Sequence, residues 1–211
     1  EIDEADMMVR TVKALQGVTD APLQLDSTDP KVLERALRVY CGKAIVNSVN
    51  GEAEILSAIL PLVKKYGACV VGLTLDETGI PRKAEDRLKI ARRILAAAQR
   101  YGIPKEKVFI DCLVLTASAE QEAAYETLDA VRLVHEELGL KTVLGVSNIS
   151  FGLPQRGVLN QTFFETVSSR MPKTVFPDSP SPVRSLKFAY SPSRLSRLTP
   201  PPRVPNQISE P

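Results

Sequence analysis

The sequence predicts an α/β fold built around a parallel sheet. Through residues 1–170, short runs rich in Val, Ile and Leu alternate with longer amphipathic runs. The short runs lack the strict polar alternation of a half-solvated strand, which is the mark of strands buried on both faces. Helix start and stop signals fill the intervals between them. Alternating β and α segments of this kind assemble as a parallel sheet with crossover helices.

The strands are expected at residues 22–25, 43–46, 68–75, 107–115 and 142–146. An opening helix is expected over residues 3–15. Asp29-Pro30 starts the next, with an acidic cap and a proline in the first turn, and Cys41-Gly42 stops it. A helix over residues 52–66 ends at Gly67, and Pro61 within it predicts a break or kink. The longest helix, residues 82–101, is ended by Gly102-Ile103-Pro104. Ser118 is the expected N-cap of a helix over 118–138 that stops at Gly139. A last helix is expected near residues 160–170.

Composition narrows the class. A length of 211 residues with 44% hydrophobic content suits one domain with a proper core. Aromatics are 5% and Trp is absent, which argues against a base-stacking platform for nucleic acid. The net charge of +2 gives no global steering toward nucleic acid or membrane. No apolar run is long enough to span a bilayer, and the acidic start, Glu-Ile-Asp-Glu-Ala-Asp, does not read as a signal peptide. Cys41, Cys69 and Cys112 are odd in number, and the last two lie in apolar runs. They read as thiols of a reducing, cytoplasmic compartment, and without CxxC spacing they do not read as a metal site.

Residues 172–211 differ from the rest. They hold ten of the sixteen prolines and seven serines, with six Lys/Arg against two Asp/Glu. Such a segment cannot build a core and reads as disordered. It is either a flexible tail or a departure of the coding frame near Met171. The expected organisation is therefore a folded unit over 1–170 and a disordered or aberrant tail over 171–211.

Two architectures suit the folded unit: an open doubly wound sheet or a closed barrel. No Gly-rich dinucleotide turn follows the first strand. Polar residues recur at strand carboxyl ends, where a parallel barrel carries its active site, and this favours the barrel. Asp26 closes PLQLD, Asn47 closes KAIVN, Asp111 interrupts VFIDCLVL, and Asn148 closes TVLGVSN. Singly, each has a plain structural explanation. Asp26 fits a helix cap, and Asn47 and Asn148 fit turn positions. Asp111 is harder to explain so, because a carboxylate among apolar residues is costly unless something hydrogen-bonds it. Four such residues at equivalent points suggest one shared pocket. Two carboxylates and two carboxamides would repel a phosphate. They suit a flat heterocycle with a donor edge, such as a pterin, whose ring N–H and exocyclic amino group can pair with one carboxylate.

The strings LDSTD (25–29), NSVNG (47–51), GLTLDETGIP (72–81), GIPKEKVFIDCLVLT (102–116) and TVLGVSNISFGLPQR (142–156), followed by LN (159–160), carry a resemblance. Over residues 1–170 the chain resembles the pterin-binding domain shared by cobalamin-dependent methionine synthase and the methyltetrahydrofolate–corrinoid/iron-sulfur protein methyltransferase. GVSNISFGLP and Gln121 lean toward the first branch. The resemblance implies a TIM (β/α)8 barrel that binds 5-methyltetrahydrofolate at its C-terminal face. It also implies transfer of the N5-methyl group to a cobalamin or corrinoid carried by another domain or protein. Family pterin contacts fall on Asp26, Asn47 and Asp111, the catalytic asparagine on Asn148, and a loop arginine on Arg156, which equally fits a solvated charge. Asp76 and Glu77 would form a pocket rim. A homodimer is allowed.

Transfer from a tertiary amine needs N5 protonated or strongly hydrogen-bonded. An amide does not titrate usefully, so Asn148 would act through its oxygen or its NH2 and not as an acid. His135, beside Glu136 and Glu137, reads as a surface residue. A TIM barrel has eight strands, and five are counted here. The barrel is thus expected to be incomplete, with two strands before Glu1 and one after Arg170. Two further readings stay open: a dihydropteroate synthase-like pterin enzyme, or a non-catalytic truncated fragment.

Overall fold

The computed structural model describes residues 3–118 and 122–170. Gln121 and the Pro/Ser-rich segment singled out above lie outside the described residues. The elements run α1 (Glu4–Gln16), β1 (Gln24–Asp26), α2 (Pro30–Val39), β2 (Ile45–Val49), α3 (Ala53–Tyr66), β3 (Cys69–Leu73), α4 (Ala84–Arg100), β4 (Val108–Asp111), α5 (Ala123–Leu138), β5 (Lys141–Val143) and α6 (Arg156–Arg170). Short 3-10 segments occupy Lys105–Lys107 and Val146–Ser150.

All pairings are parallel, and the sheet order is β1-β2-β3-β4-β5. A doubly wound sheet reverses its order at a switch point. Parallel pairing puts every carboxyl end on one side, and because the order never reverses the crossover helices stay on one face, which is the winding of a barrel. The expected α/β order holds, with five strands among the described residues.

Local signals account for most boundaries. Asp29 caps α2, its Oδ1 accepting from the Lys31 N–H at 2.7 Å, with Pro30 in the first turn. Gly67 and Gly139 end α3 and α5 in the left-handed region, at φ 67° and 62°. Two expectations fail. Pro61 does not break α3, which is helical throughout Ala53–Tyr66. Pro61 is exposed, so the carbonyl it frees can turn to water. Ser118 is not the cap of α5. The helix starts at Ala123, and the Ser118 hydroxyl donates instead to the Phe151 carbonyl at 3.1 Å.

Period-two alternation divides the sheet into two faces. Leu25, Val46, Val70 and Ile110 point outward into the main core, with Leu33, Leu37, Ile59, Leu60, Ile94 and Val131 from the helices. The other face has its own small cluster of Ile45, Cys69, Val71 and Phe109, with Leu73 and Val143 against it, and all of these come from strands. The helices therefore cover one face, and the inner face is lined by strand side chains. The inner thiol, Cys69, is pushed up in pKa by burial.

Gly72, in the middle of β3, shows how closely α4 sits. A Cβ there would lie 2.8 Å from Ile94 Cγ2 and 3.1 Å from Ile94 Cδ1. A buried β-branched side chain cannot swing away from such a contact. Gly72→Ala should therefore cost about 1–3 kcal/mol through overpacking. Adding Ile94→Ala should recover part of that loss, so the double variant is less destabilised than the two single changes together. Thermal melts of the three variants check this, and a Gly72→Ala protein as stable as its parent would refute it.

Candidate functional site

The inner face turns polar at its carboxyl end. Asp26 and Asn47 are paired residues of β1 and β2, and Asn47 is paired in turn with Val71 of the inner cluster. Residues in register share a face, so both side chains belong to the inner side. Asp111 pairs with Leu73 on one side and Val143 on the other, which are also inner residues. It stands one step nearer the carboxyl end than the Asp26–Asn47 pair. Three of the predicted polar residues thus share one face and one end of the sheet. Asp26 is exposed, while Asn47 and Asp111 are half-buried.

Each strand end departs from the expected pattern in detail. Asn47 does not close its strand. β2 continues to Val49, with a register shift between Asn47 and Val49 and a cis Asn47–Ser48 peptide. Asp111 does not interrupt its strand but ends it. Its Oδ1 accepts from the Leu113 N–H at 2.8 Å, and Leu113 has φ 57°. That local turn takes the backbone out of the ladder. Burial raises the pKa of the Asp111 carboxyl, and the Leu113 N–H opposes the rise. Beside it, Cys112 is pushed up to about 12, first by burial and next by the Asp111 charge, so it is a thiol at neutral pH and no nucleophile.

Asn148 lies further out than expected. β5 ends at Val143, and Asn148 sits in the 3-10 segment Val146–Ser150, with its side chain exposed. Gly145 makes room for it, since a Cβ there would come within 2.9 Å of Asn148 Nδ2. Arg156 opens α6 and binds back to this segment. Its Nε donates to Ser150 Oγ at 3.1 Å and its terminal nitrogen to the Ser147 carbonyl at 3.2 Å. Arg156 is exposed yet anchored, which neither simple expectation anticipated. The loop after β4 is fastened to the same segment by the Ala117 N–H on the Ile149 carbonyl at 3.0 Å.

Asp76 and Glu77 follow β3. The Asp76 carboxylate accepts from the Thr78 hydroxyl at 2.7 Å and the Thr78 N–H at 3.1 Å, with Arg93 of α4 at 3.4 Å. The Thr78 donors, with Arg93 behind them, hold its pKa below the usual carboxylate range. Glu77 is exposed and lines a cleft of about 440 Å3 between α3 and α4, with Leu56, Arg93, Ala97, Arg100 and Tyr101. That cleft lies among the helices, away from Asp26, Asn47 and Asp111.

Several contributors escaped the sequence reading. Thr74 is fully buried and ties β3 to Asp111, its N–H and hydroxyl both donating to the Asp111 carbonyl at 3.0 and 3.1 Å. Arg87 is also fully buried, on the apolar stripe of α4 between Ala84 and Ala91. A cation on such a stripe was the available signal. Gly145 and Ser150 carry none beyond their nearness to Asn148. Among the described residues no group of three or more His, Cys, Asp or Glu side chains could hold a metal ion. No described helix is long and apolar enough to cross a membrane.

Known proteins share both the sequence and the fold. Methionine synthase of Mycobacterium leprae (strain TN) is 38% identical over 172 residues, which is 74% of this chain and 14% of that protein. Methylcorrinoid:tetrahydrofolate methyltransferase of Eubacterium limosum is 29% identical over 154 residues, 71% of this chain and 56% of that one. The chain thus spans about a seventh of one relative and just over half of the other. The crystal structure of 7,8-dihydropteroate synthase from Vibrio fischeri ES114 superposes with a TM-score of 0.56 over 81% of this chain and 75% of that one, at 19% identity. That likeness establishes the fold alone, an α/β sheet wound as in the TIM-barrel pterin enzymes. The family described as pterin binding enzyme matches residues 1–174, and the chain belongs to it.

Proposed function

We propose that this chain is the folate-binding part of a methyltransferase that removes the N5-methyl group of 5-methyltetrahydrofolate. The observation that carries the reading is the common face and common end of Asp26, Asn47 and Asp111, one of them a half-buried carboxylate. The relatives by sequence, named methionine synthase and methylcorrinoid:tetrahydrofolate methyltransferase, favour it over a dihydropteroate synthase-like enzyme, because the likeness to the latter is one of fold.

The half-buried Asp111 accepts the ring N–H and the exocyclic amino group of the pterin. Asn47 meets the mixed edge beside it, and Asp26 closes the site from the exposed side. A neutral donor edge suits this lining, and an anion does not. Asn148 approaches N5, where its carboxamide stabilises the protonated amine through oxygen or the departing amine through NH2. Arg156 holds the segment that carries Asn148, and Asp76, on the loop after β3, stands at the rim, while Glu77 turns to the cleft between α3 and α4 and has no part in the site. A corrinoid held by another domain or protein would supply the nucleophilic cobalt that takes the methyl group. The free thiols fit a reducing compartment, and we assign the protein to the cytoplasm.

Titration calorimetry of the full-length protein with 5-methyltetrahydrofolate tests the reading. Asp111→Asn should weaken binding by about 10- to 10²-fold, as expected for losing charge-assisted bonds worth roughly 1.5–3 kcal/mol. Binding needs the ionised carboxylate, whose pKa is raised by burial. Affinity should therefore fall with pH at a point above the ordinary Asp range. Tighter binding of a dihydropterin pyrophosphate than of methyltetrahydrofolate would replace this reading with the synthase one.

The same shift predicts an effect on stability. A carboxyl whose folded pKa is raised contributes stability when protonated, and that contribution is lost as pH rises through the folded value. At neutral pH the ionised Asp111 is thus a burden on the fold. Asp111→Asn should melt at or above the parent temperature at pH 7, with the advantage vanishing in acid. A variant clearly less stable at pH 7 would contradict this. Asn148→Ala should lower kcat about 10²–10³-fold with little change in KM, because its bonds strengthen as charge develops on N5. Steady-state kinetics with the corrinoid acceptor decide it.

A further inference from the structure

Behind the polar inner face lies a buried cation that the proposed chemistry does not use. Arg87 of α4 is wholly excluded from solvent, on the side of the sheet away from the ligand. Its Nε donates to the Pro81 carbonyl at 2.8 Å. One terminal nitrogen donates to the carbonyls of Cys112 and Leu113, at 2.9 and 3.0 Å, and to Thr127 Oγ1 at 3.0 Å. The Thr127 hydroxyl is bonded in turn to the Leu113 and Ala123 carbonyls. A single guanidinium therefore gathers the loop before α4, the turn after β4 and Thr127 near the start of α5.

The two carbonyls it takes are those that immediately follow Asp111. Had β4 continued, they would have been ladder acceptors. Leu113 instead adopts φ 57°, a left-handed conformation that strains any residue with a bulky side chain. In that conformation its N–H turns back to Asp111 Oδ1 while the Cys112 and Leu113 carbonyls face α4. The strained residue, the carboxylate and the guanidinium are coupled. If Arg87 releases the carbonyls, Leu113 can relax to extended backbone and its N–H leaves Asp111.

We propose that Arg87 is a positioning residue for Asp111. It holds the left-handed turn at Leu113 from behind the sheet, and so fixes the orientation in which the Asp111 carboxylate meets its ligand. The inference rests on the pterin reading for the identity of that ligand, and on the hydrogen bonds alone for the positioning. A lysine can offer its one nitrogen to the Cys112 and Leu113 carbonyls but has no second nitrogen for the Pro81 carbonyl, so it replaces only part of the contact.

The test uses the full-length protein with Arg87→Lys, Arg87→Met, and Arg87→Met combined with Leu113→Gly, since glycine adopts φ above zero without strain. Two quantities are read. One is hydrogen exchange and the proton shift of the Leu113 amide, by NMR. The other is the affinity for 5-methyltetrahydrofolate. In Arg87→Met the Leu113 amide should exchange at least tenfold faster and lose its downfield shift, while the amides of β3 keep their protection. Affinity should fall at least tenfold. Arg87→Lys should fall between the parent and Arg87→Met, and in Arg87→Met the added Leu113→Gly should restore a substantial part of the affinity and of the protection at the residue-113 amide. Unchanged Leu113 exchange in a folded Arg87→Met protein overturns the proposal, as does global loss of protection that Leu113→Gly does not repair. If the parent binds no reduced folate while the Leu113 amide responds as expected, the pterin reading falls and the positioning of Asp111 stands.

Discussion

The carboxyl ends of the five strands are sewn together by backbone hydrogen bonds that continue past the sheet. The Ser27 N–H donates to the Asn47 carbonyl, the Gly51 N–H to Leu75, the Thr74 N–H to Asp111, and the Ala117 N–H to Ile149, at 3.1, 2.8, 3.0 and 3.0 Å. Each bond joins the loop or strand end of one βα unit to the next. Every strand runs the same way, so all these ends fall on one side and a single row of bonds can link them. Gly51 shows the cost. A Cβ there would lie 2.9 Å from Ile90 Cγ2 and 3.1 Å from both Asp76 Cβ and the Leu75 carbonyl, so only glycine fits between the second and third units. Loops normally hold polar groups loosely. Here they inherit the stiffness of the sheet, and the polar side chains among them keep their bearing.

That row of bonds also explains why a carboxylate can sit in a half-buried place. Asp111 is fixed through its main-chain carbonyl by Thr74 and through its side chain by the Leu113 N–H. Burial acts against its charge, and one backbone donor only partly offsets it. Its charged form is therefore the one that burial disfavours in the unliganded protein. On the pterin reading, a carboxylate disfavoured by burial yet mounted from two sides is suited to holding a ligand's donors. The adjacent Cys112 thiol, pushed up to about 12, bears on the same point. The surroundings of Asp111 are dry enough to silence a thiol and still admit one negative charge.

The element order, the parallel pairing and the outward apolar face were legible because they follow from periodicity and from strong local signals such as Asp29-Pro30 and the glycines at 67 and 139. The candidate polar residues were legible as well, since Asp26, Asn47 and Asp111 stand out against apolar neighbours. Their exact settings were not. Asn47 reads as a strand end because a carboxamide suits a turn, yet the strand runs on to Val49 across a shift in register. Asp111 reads as internal because CLVL follows it, but those residues leave the ladder at the Leu113 turn. Nothing in a leucine announces positive φ. The condition that permits it, Arg87 on another element, is separated by 26 positions in the chain and becomes visible only when α4 packs behind β4. Pro61 misleads for the opposite reason. Its cost depends on which side of the helix faces water, and that is settled by packing.

The two aspartates illustrate how position divides a shared task. Asp26 and Asp111 carry the same side chain on the same face, but Asp26 is exposed at the end of a three-residue strand while Asp111 stands between two inner neighbours. In water a carboxylate bond to a ligand N–H replaces an equally good bond to solvent, and the net gain is small. In a drier place the unliganded carboxylate has fewer such substitutes, so the ligand's donors gain more and a ligand without them is rejected more strongly. On the pterin reading, discrimination therefore resides in Asp111 and its mount. Asp26 contributes charge at the margin, where salt and solvent screen it. The buried arginine, the strained leucine and the buried threonine all act on the first of these residues, which is where precise aim has the greater effect.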